Sequence, residues 1–245
     1  MPVFFIASSR VHDGVITITD PLLNHLRKSL RVEVGEEVQF GDERSRRYRT
    51  RLISVTAREI HACVMDERTA PARRHPSVIL GQAVLKGDRM DWVIQKATEL
   101  GVSAIVPLVS NRVVVRPRSE RVTVQQERWR RIALEAAQQA ERWDIPVIHT
   151  PEAVATWFTQ ARRDTRLMLV ERAGAQSLPS VALPEGPDAM ITLCIGPEGG
   201  WTDDEKNAGL EAGFTPTVLG DRILRAETAA IAALTIVQSR TGGLG

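Results

Sequence analysis

The residues best suited to chemistry lie in two short segments near the end of the chain. The first, residues 196–200, reads Gly-Pro-Glu-Gly-Gly and separates an apolar run from a Thr-x-x-Glu pattern at 202–205, which is typical of a helix capping box. Glycine has no Cβ, so its backbone can approach a ligand closely. The second, residues 219–229, follows another apolar run and carries Arg225 and Glu227 just before an apolar helix stripe. Placed at the same end of neighbouring strands, the two loops would form one small-molecule site.

The glycine segment also has a purely structural explanation, since Gly and Pro build ordinary tight turns. Among ligand-binding alternatives, a dinucleotide fingerprint needs Gly-x-Gly-x-x-Gly after the domain's first strand. The glycines at 196, 199 and 200 have a different spacing and lie late in the chain. The sequence also lacks a phosphate-binding Gly-Lys-Ser/Thr loop, histidines at metal-ligand spacing and the Gly-x-Ser-x-Gly pattern of serine hydrolases. NAD, ATP, metal and serine-hydrolase chemistry are therefore disfavoured.

The elements that must position these loops form an alternating series. From residue 77 onward, apolar strand-like runs alternate with segments whose apolar residues repeat at helical spacing. This order predicts a parallel sheet with ligands beyond the carboxyl ends of its strands. The predicted strands are 78–85, 102–109, 167–170, 189–195 and 214–219, and the predicted helices are 90–100, 127–142 and one that begins near 226.

The first seventy residues have a different pattern. Short β-rich runs, one helical stretch at 21–30 and turns between them predict a small barrel. Residues 68–76 contain prolines and no periodicity, which is typical of a linker. We therefore predict two domains, 1–72 and 73–245.

Composition restricts the class of protein. The chain has 245 residues, of which 43% are hydrophobic, so it can build a sizeable core. It contains neither an apolar run long enough for a membrane span nor the pattern of a signal peptide. We expect a cytoplasmic protein without a membrane partner, in which Cys63 and Cys194 are free thiols. Five arginines crowd into residues 44–51 and predict a basic patch on the N-terminal unit.

Several ordered blocks carry a resemblance to a known family. They are residues 25–27 and 30–31, 81–83 with 86–91 and 94–102, 135–142 (Glu-Ala-Ala-Gln-Gln-Ala-Glu-Arg), 196–200 with Glu205, and 219–220 with 223–229 (Ile-Leu-Arg-Ala-Glu-Thr-Ala). Together they resemble the RsmE family of SPOUT methyltransferases, which methylate N3 of a uridine in 16S ribosomal RNA. The resemblance spans nearly the whole chain.

The resemblance implies a fold, a cofactor and partners. The fold would be α/β, with a C-terminal trefoil-knotted SPOUT domain, whose parallel sheet has helices on both faces, and a small N-terminal PUA-like β-barrel. The cofactor would be S-adenosyl-L-methionine (SAM), without a metal, and the partners would be 16S rRNA or the small ribosomal subunit and a second copy of the chain. The cofactor-binding residues that it implies are Leu169, Gly196, Pro197, Gly199, Gly200, Leu219, Gly220, Ile223, Leu224 and Ala226.

Methylation at uracil N3 needs removal of a proton. A carboxylate can accept that proton, and a cation can stabilise the negative charge that develops on the uracil carbonyls. The candidates are Glu198 and Glu227 for the first role and Arg225 for the second. Each also has a structural interpretation: Glu198 fixes its loop, Glu227 complements the positive end of a helix, and Arg225 binds a phosphate.

RNA contacts are predicted from basic residues of the N-terminal unit and of the domain junction. The candidates are Arg27, Arg31, Arg46, Arg47, Arg49, Lys86 and Arg89, although arginine-rich surfaces are often only solvated. Two other functions stay open, a non-catalytic RNA-binding factor with the same fold and a SPOUT enzyme that methylates a ribose 2′-hydroxyl in transfer RNA. The intact glycine loops disfavour the first, and the N-terminal barrel with the 94–101 block disfavours the second.

Overall fold

The chain is divided into two compact units. A computed structural model describes residues 2–113, 122–160, 164–171 and 175–244. The first unit comprises Met1–Ala72 and Ala137–Asp144, and the second comprises Arg73–Ala136 and Ile145–Gly245.

The first unit is built on six strands. Its strands and helices are β1 (Val3–Ile6), β2 (Val11–His12), β3 (Val15–Ile18), α1 (Leu22–Asn24), a π-helical turn at His25–Leu30, β4 (Glu37–Asp42), β5 (Arg46–Val55) and β6 (Ile60–Thr69). The sheet order is β1-β4-β5-β6-β3-β2, antiparallel except for the β1–β4 pair. Strand β6 continues into the segment that was predicted as a linker. Residues 66–69 pair with the start of β5 through backbone hydrogen bonds. Such pairing does not require alternating apolar residues, so the sequence pattern does not indicate it.

A buried carboxylate organises the tip of this sheet. Asp42 is 1% exposed, and its oxygens accept hydrogen bonds from the Tyr48 hydroxyl at 2.9 Å and from Arg46 Nε at 3.0 Å. The backbone amides of Arg44 and Arg46 also donate to it. Burial and this hydrogen bond to Asp42 raise the pKa of Tyr48. A buried charge needs such a full set of partners, so Arg46 has a structural role here.

The second unit is an α/β domain. Its elements are β7 (Ser77–Ala83), α2 (Arg89–Glu99), β8 (Ala104–Val109), α3 (Val122–Gln139), β9 (Val147–Ile148), β10 (Glu152–Ala153), α4 (Val154–Phe158), β11 (Thr165–Leu169), β12 (Gln176–Ser177), β13 (Met190–Ile195), α5 (Asp203–Glu211), β14 (Thr215–Val218) and α6 (Ala226–Thr241). The sheet order is β10-β8-β7-β13-β11-β14-β12, with β9 beside β8, and its pairs are parallel. The predicted parallel sheet is therefore confirmed.

The helices bury the apolar stripes that the sequence predicted. Helix α6 packs against α2 and β13, and it buries Ala230, Ala233 and Leu234 completely. Helix α3 begins at Val122 and ends at Gln139, earlier than the predicted range of 127–142. Among the residues that the structure describes, no helix is both long and apolar enough to cross a lipid bilayer.

Gly81 lies where the sheet packs against α4, and there is no room for a further carbon atom there. A Cβ added there would lie 2.4 Å from the ring of Trp157, which is itself buried and in contact with Phe158 and Phe214. We expect Gly81→Ala to lower the free energy of unfolding by roughly 1–3 kcal/mol, the usual effect of overpacking. Urea unfolding measures this loss. If the cause is the clash, the double variant with Trp157→Leu will lose less than the sum of the two single variants, and an additive result would contradict it.

The two cysteines are free and differ in accessibility. Cys63 is partly exposed, and Cys194 is fully buried in β13. Burial, and then the Glu205 carboxylate, raise the pKa of the Cys194 thiol well above its ordinary value. Because the thiolate is the reactive form, we expect a thiol reagent at pH 8 to label Cys63 alone in the native protein and both thiols in guanidinium. Rapid native labelling of Cys194, measured by peptide mapping, would contradict this placement.

Candidate active site

Three strands end at one large cavity. The central strand β11 lies between β13 and β14 in the sheet, and the segments that follow all three strands line a cavity of about 980 Å³. The two glycine-containing loops were expected to follow neighbouring strands, but β11 separates those strands. Leu169, the last residue of β11, therefore lies between the two loops.

The first loop is held in place from both sides. The Gly200 amide donates to the Pro197 carbonyl at 2.9 Å, and Gly200 has φ +67°, a conformation that favours glycine. The Gly199 carbonyl accepts a hydrogen bond from Arg112 Nη1 at 2.9 Å. Behind the loop, Thr202 and Glu205 form the predicted capping box of α5. The loop is thus a preformed turn at the cavity wall.

An indole ring supports the floor of the cavity. Trp201 Nε1 donates to the Leu169 carbonyl at 3.0 Å, and a Cβ at Gly196 would lie 3.1 Å from the same ring. Glycine at 196 therefore allows the tryptophan to join the first loop to the end of β11. Trp201 and Leu169 both line the cavity.

Nine of the ten predicted cofactor residues line this cavity. They are Leu169, Gly196, Pro197, Gly200, Leu219, Gly220, Ile223, Leu224 and Ala226. Gly199 does not line it and lies against Arg112 instead. Several other lining residues were not predicted from the sequence, including Arg112, Glu171, Trp201, Phe214 and Arg222. For Glu171 the available signal was its position two residues beyond the end of β11.

The second loop leaves apolar and charged groups accessible. Ile223 is 64% exposed and Leu224 is 36% exposed, and both line the cavity. Arg225 occupies the N-cap position of α6, is exposed and also lines the cavity. These groups are available to a ligand that enters the cavity.

The candidate catalytic carboxylates meet at Arg89. Arg89 Nη1 lies 3.3 Å from Glu198 Oε1, and Arg89 Nε lies 3.7 Å from Glu227 Oε1. The Lys86 amide donates a second hydrogen bond to Glu198 Oε1 at 3.2 Å. Glu227 Oε2 is buried and has no hydrogen-bond partner among the described residues. The two carboxylates thus differ, since only Glu227 retains an unused buried acceptor.

A second cavity adjoins the first. It has a volume of about 670 Å³ and is lined by Lys86, Gly87, Asp88, Arg89, Trp92, Glu227 and Thr228. Arg89 lines both cavities. Of the predicted RNA contacts, Lys86 and Arg89 therefore lie beside the candidate catalytic groups. In the described parts of the chain, no group of three or more His, Cys, Asp or Glu residues could hold a metal ion.

The predicted RNA contacts of the first unit are less free than expected. Arg47 Nη2 donates to the backbone carbonyls of Glu141 and Arg142, and its guanidinium lies 4.1 Å from the centre of the Trp143 ring. Arg49 pairs with Glu37 at 3.4 Å, and Arg46 holds Asp42.

Arg27 and Arg31 lie in or beside the π-helical turn. Arg27 Nη1 donates to a backbone carbonyl of the loop after β5 at 3.4 Å. Arg31 ends the turn, in a left-handed conformation with φ +55°. The five first-unit candidates thus do not form one cluster of free cations.

Comparison with known proteins supplies the family. The RNA methyltransferase domain family matches residues 73–238, and the RNA methyltransferase PUA domain family matches residues 18–62. The ribosomal RNA small subunit methyltransferase E of Synechocystis sp. is 31% identical, over 94% of this chain and 74% of the relative. The chain belongs to the RsmE family of RNA methyltransferases. The family predicted from the sequence blocks is therefore confirmed.

Other RsmE proteins match this chain over most of its length. The Bacillus subtilis enzyme is 30% identical over 92% of this chain and 90% of its own length. The crystal structure of the Neisseria gonorrhoeae RsmE, which is bound to S-adenosyl methionine, is 31% identical, has a TM-score of 0.88 and covers 98% of both chains. These matches confirm the α/β fold with an N-terminal PUA domain. The trefoil knot stays a prediction of the resemblance.

Proposed function

We propose that this RsmE protein transfers the methyl group of SAM to N3 of a uridine in 16S ribosomal RNA. The observation that carries the proposal is the junction at Arg89, where a ligand-sized cavity meets two carboxylates. Residues 73–245 would carry the methyl-transfer site, and residues 1–72 would bind RNA. We further propose that the protein works as a homodimer in the cytoplasm, on the small ribosomal subunit or its RNA.

The large cavity fits SAM in size and lining. Small-molecule sites usually have volumes of about 300–1,000 Å³, and this cavity has about 980 Å³. Its walls contain backbone groups of the glycine loops, which can bind the polar groups of SAM. They also contain apolar side chains such as Leu169, Leu219 and Leu224, which can pack against its adenine ring. SAM supplies a reactive sulfonium-bound methyl group. The residues of this chain mainly need to align the acceptor and exclude water.

The two carboxylates divide the remaining work. Glu198 is restrained by Arg89 and by the Lys86 amide, so its proposed role is to position Arg89. Glu227 Oε2 has no hydrogen-bond partner among the described residues, and an unpaired buried acceptor is costly. The N3–H of uracil is a donor of the right kind. We therefore assign Glu227 as the group that accepts the N3 proton.

Arg225 completes the proposed site. Its side chain is exposed at the cavity edge, and it follows the apolar pair 223–224 on the same loop. Removal of the N3 proton leaves negative charge on the uracil carbonyls, and a guanidinium stabilises such charge through two parallel donors. We therefore assign Arg225 the role of stabilising this charge.

Radiolabelled SAM tests the activity directly. Purified protein is incubated with labelled SAM and with unmodified small-subunit rRNA, large-subunit rRNA or transfer RNA, each free or, for the ribosomal RNAs, assembled into subunits. We expect label in small-subunit rRNA alone. Label in transfer RNA would favour the 2′-hydroxyl alternative, and label in none of the pools, with SAM binding intact by calorimetry, would favour a non-catalytic RNA-binding factor.

A further inference from the structure

Trp92 differs from most of the other tryptophans of this chain. Trp129, Trp157 and Trp201 are buried, whereas Trp92 on α2 is 42% exposed. It lines the second cavity, which Arg89 joins to the proposed SAM cavity. Aromatic residues make up only 4% of the chain, so one that is left exposed in a cavity beside the reaction site needs an explanation.

We infer that the second cavity receives the acceptor base, and that Trp92 is the surface on which this pyrimidine stacks. This inference rests on the proposed function, since it names where the uridine of that reaction binds. A base must leave its stack before an enzyme can act on its ring atoms. An indole face replaces the lost stacking, because every base has a π-face.

The polar groups of the cavity match uracil and its phosphate. Glu227 Oε2 is the unpaired acceptor, and uracil offers one donor, N3–H, on its pairing edge. Cytosine has an acceptor at N3, which would face the same carboxylate unfavourably. Lys86 and Arg89 provide positive charge on the same wall. The cavity therefore favours a uracil base over a cytosine base.

The acidic groups near the cavity do not oppose an RNA ligand strongly. Asp91 is paired with Arg128, and Asp88 Oδ1 lies 3.7 Å from Arg128 Nη2. Arg128 is half exposed, so its unused donors remain accessible. One guanidinium thus offsets part of the negative charge of these two carboxylates, and RNA phosphates can also contact it.

Two substitutions of Trp92 separate stacking from apolar packing. Trp92→Phe retains a π-face, and Trp92→Leu retains only an apolar side chain. We expect Trp92→Leu to lower kcat/KM for small-subunit rRNA about tenfold, the usual effect of losing one base–aromatic stack, and Trp92→Phe to stay within about threefold of wild type. SAM affinity by calorimetry should be unchanged in both. Val124→Ala, which shortens an exposed apolar side chain on α3, is the control.

Tryptophan fluorescence provides a readout that does not need turnover. In protein saturated with S-adenosylhomocysteine, uridine monophosphate should quench the emission at lower concentration than cytidine monophosphate, and Trp92→Phe should abolish the difference.

Quenching that is absent in wild type or unchanged in Trp92→Phe would overturn the inference. So would equal activity of the Leu and Phe variants, or conversion to a monomer by Trp92→Leu, which would place Trp92 in a protein interface. An inactive wild type whose Trp92 is still quenched by uridine monophosphate would refute the proposed reaction and support the base site.

Discussion

Glu227→Gln is expected to lower the rate of methyl transfer by about 10²–10⁴-fold, the usual contribution of a positioned general base. Glutamine keeps the shape of the side chain and its approach to Arg89, but it cannot accept the N3 proton. SAM affinity should change little, because Glu227 does not line the larger cavity. Single-turnover transfer of labelled methyl groups to small-subunit rRNA measures the rate, and calorimetry measures the affinity.

The pH dependence distinguishes a base from a structural residue. If Glu227 takes the proton, the variant should recover part of its rate as pH rises, because hydroxide in solution then replaces the missing carboxylate. A rate loss that is the same at every pH would indicate a structural role. Glu211→Gln, which changes an exposed carboxylate on α5, is the matched control and should behave as wild type. Glu198→Gln should lose less activity than Glu227→Gln, since its proposed role is to position Arg89.

Arg225→Ala is expected to lower the transfer rate by about 10²–10³-fold, as removal of one donor to a developing oxyanion does. SAM affinity should stay within a few fold, because the glycine loops and apolar walls that hold the cofactor are unchanged. Arg225→Lys should recover only part of the rate, since an ammonium lacks the two parallel donors of guanidinium. Arg131→Ala, an exposed arginine on α3, is the control for loss of positive charge.

The SAM affinity of Arg225→Ala, measured by calorimetry, distinguishes a catalytic role of Arg225 from a cofactor-binding role. Loss of SAM binding in Arg225→Ala with the fold intact by circular dichroism would make it a cofactor residue and would contradict the catalytic assignment. A lower rate with unchanged SAM affinity but a much higher KM for RNA would instead indicate a phosphate contact.

Sequence patterns predicted most of the longer elements of the second unit because their physical signals are local. The Thr202–Glu205 capping box and the stripe of α6 can be read from residue type and spacing alone. The order of strands in the sheet cannot, because it depends on which long-range pairs form. That order inserted β11 between β13 and β14 and thereby brought Glu171 to the cavity.

The candidate site shows the same limit. Residue types identified Glu198, Arg225 and Glu227 as candidates, but the different roles that we propose for Glu198 and Glu227 rest on distances to Arg89 and on burial, which no pattern encodes. The basic cluster in β5 illustrates the converse. Its arginines resemble an RNA-binding patch in sequence, yet Arg46 and Arg49 pair with carboxylates that lie across the turn or on the neighbouring strand.

The position of the transferred methyl group tests the proposed reaction most directly. Small-subunit RNA methylated by the purified protein with isotope-labelled SAM is digested to nucleosides and separated by liquid chromatography with mass spectrometry. We expect the label in 3-methyluridine from 16S rRNA, and almost none there with Glu227→Gln. Label on a ribose or on another base would contradict the proposed reaction.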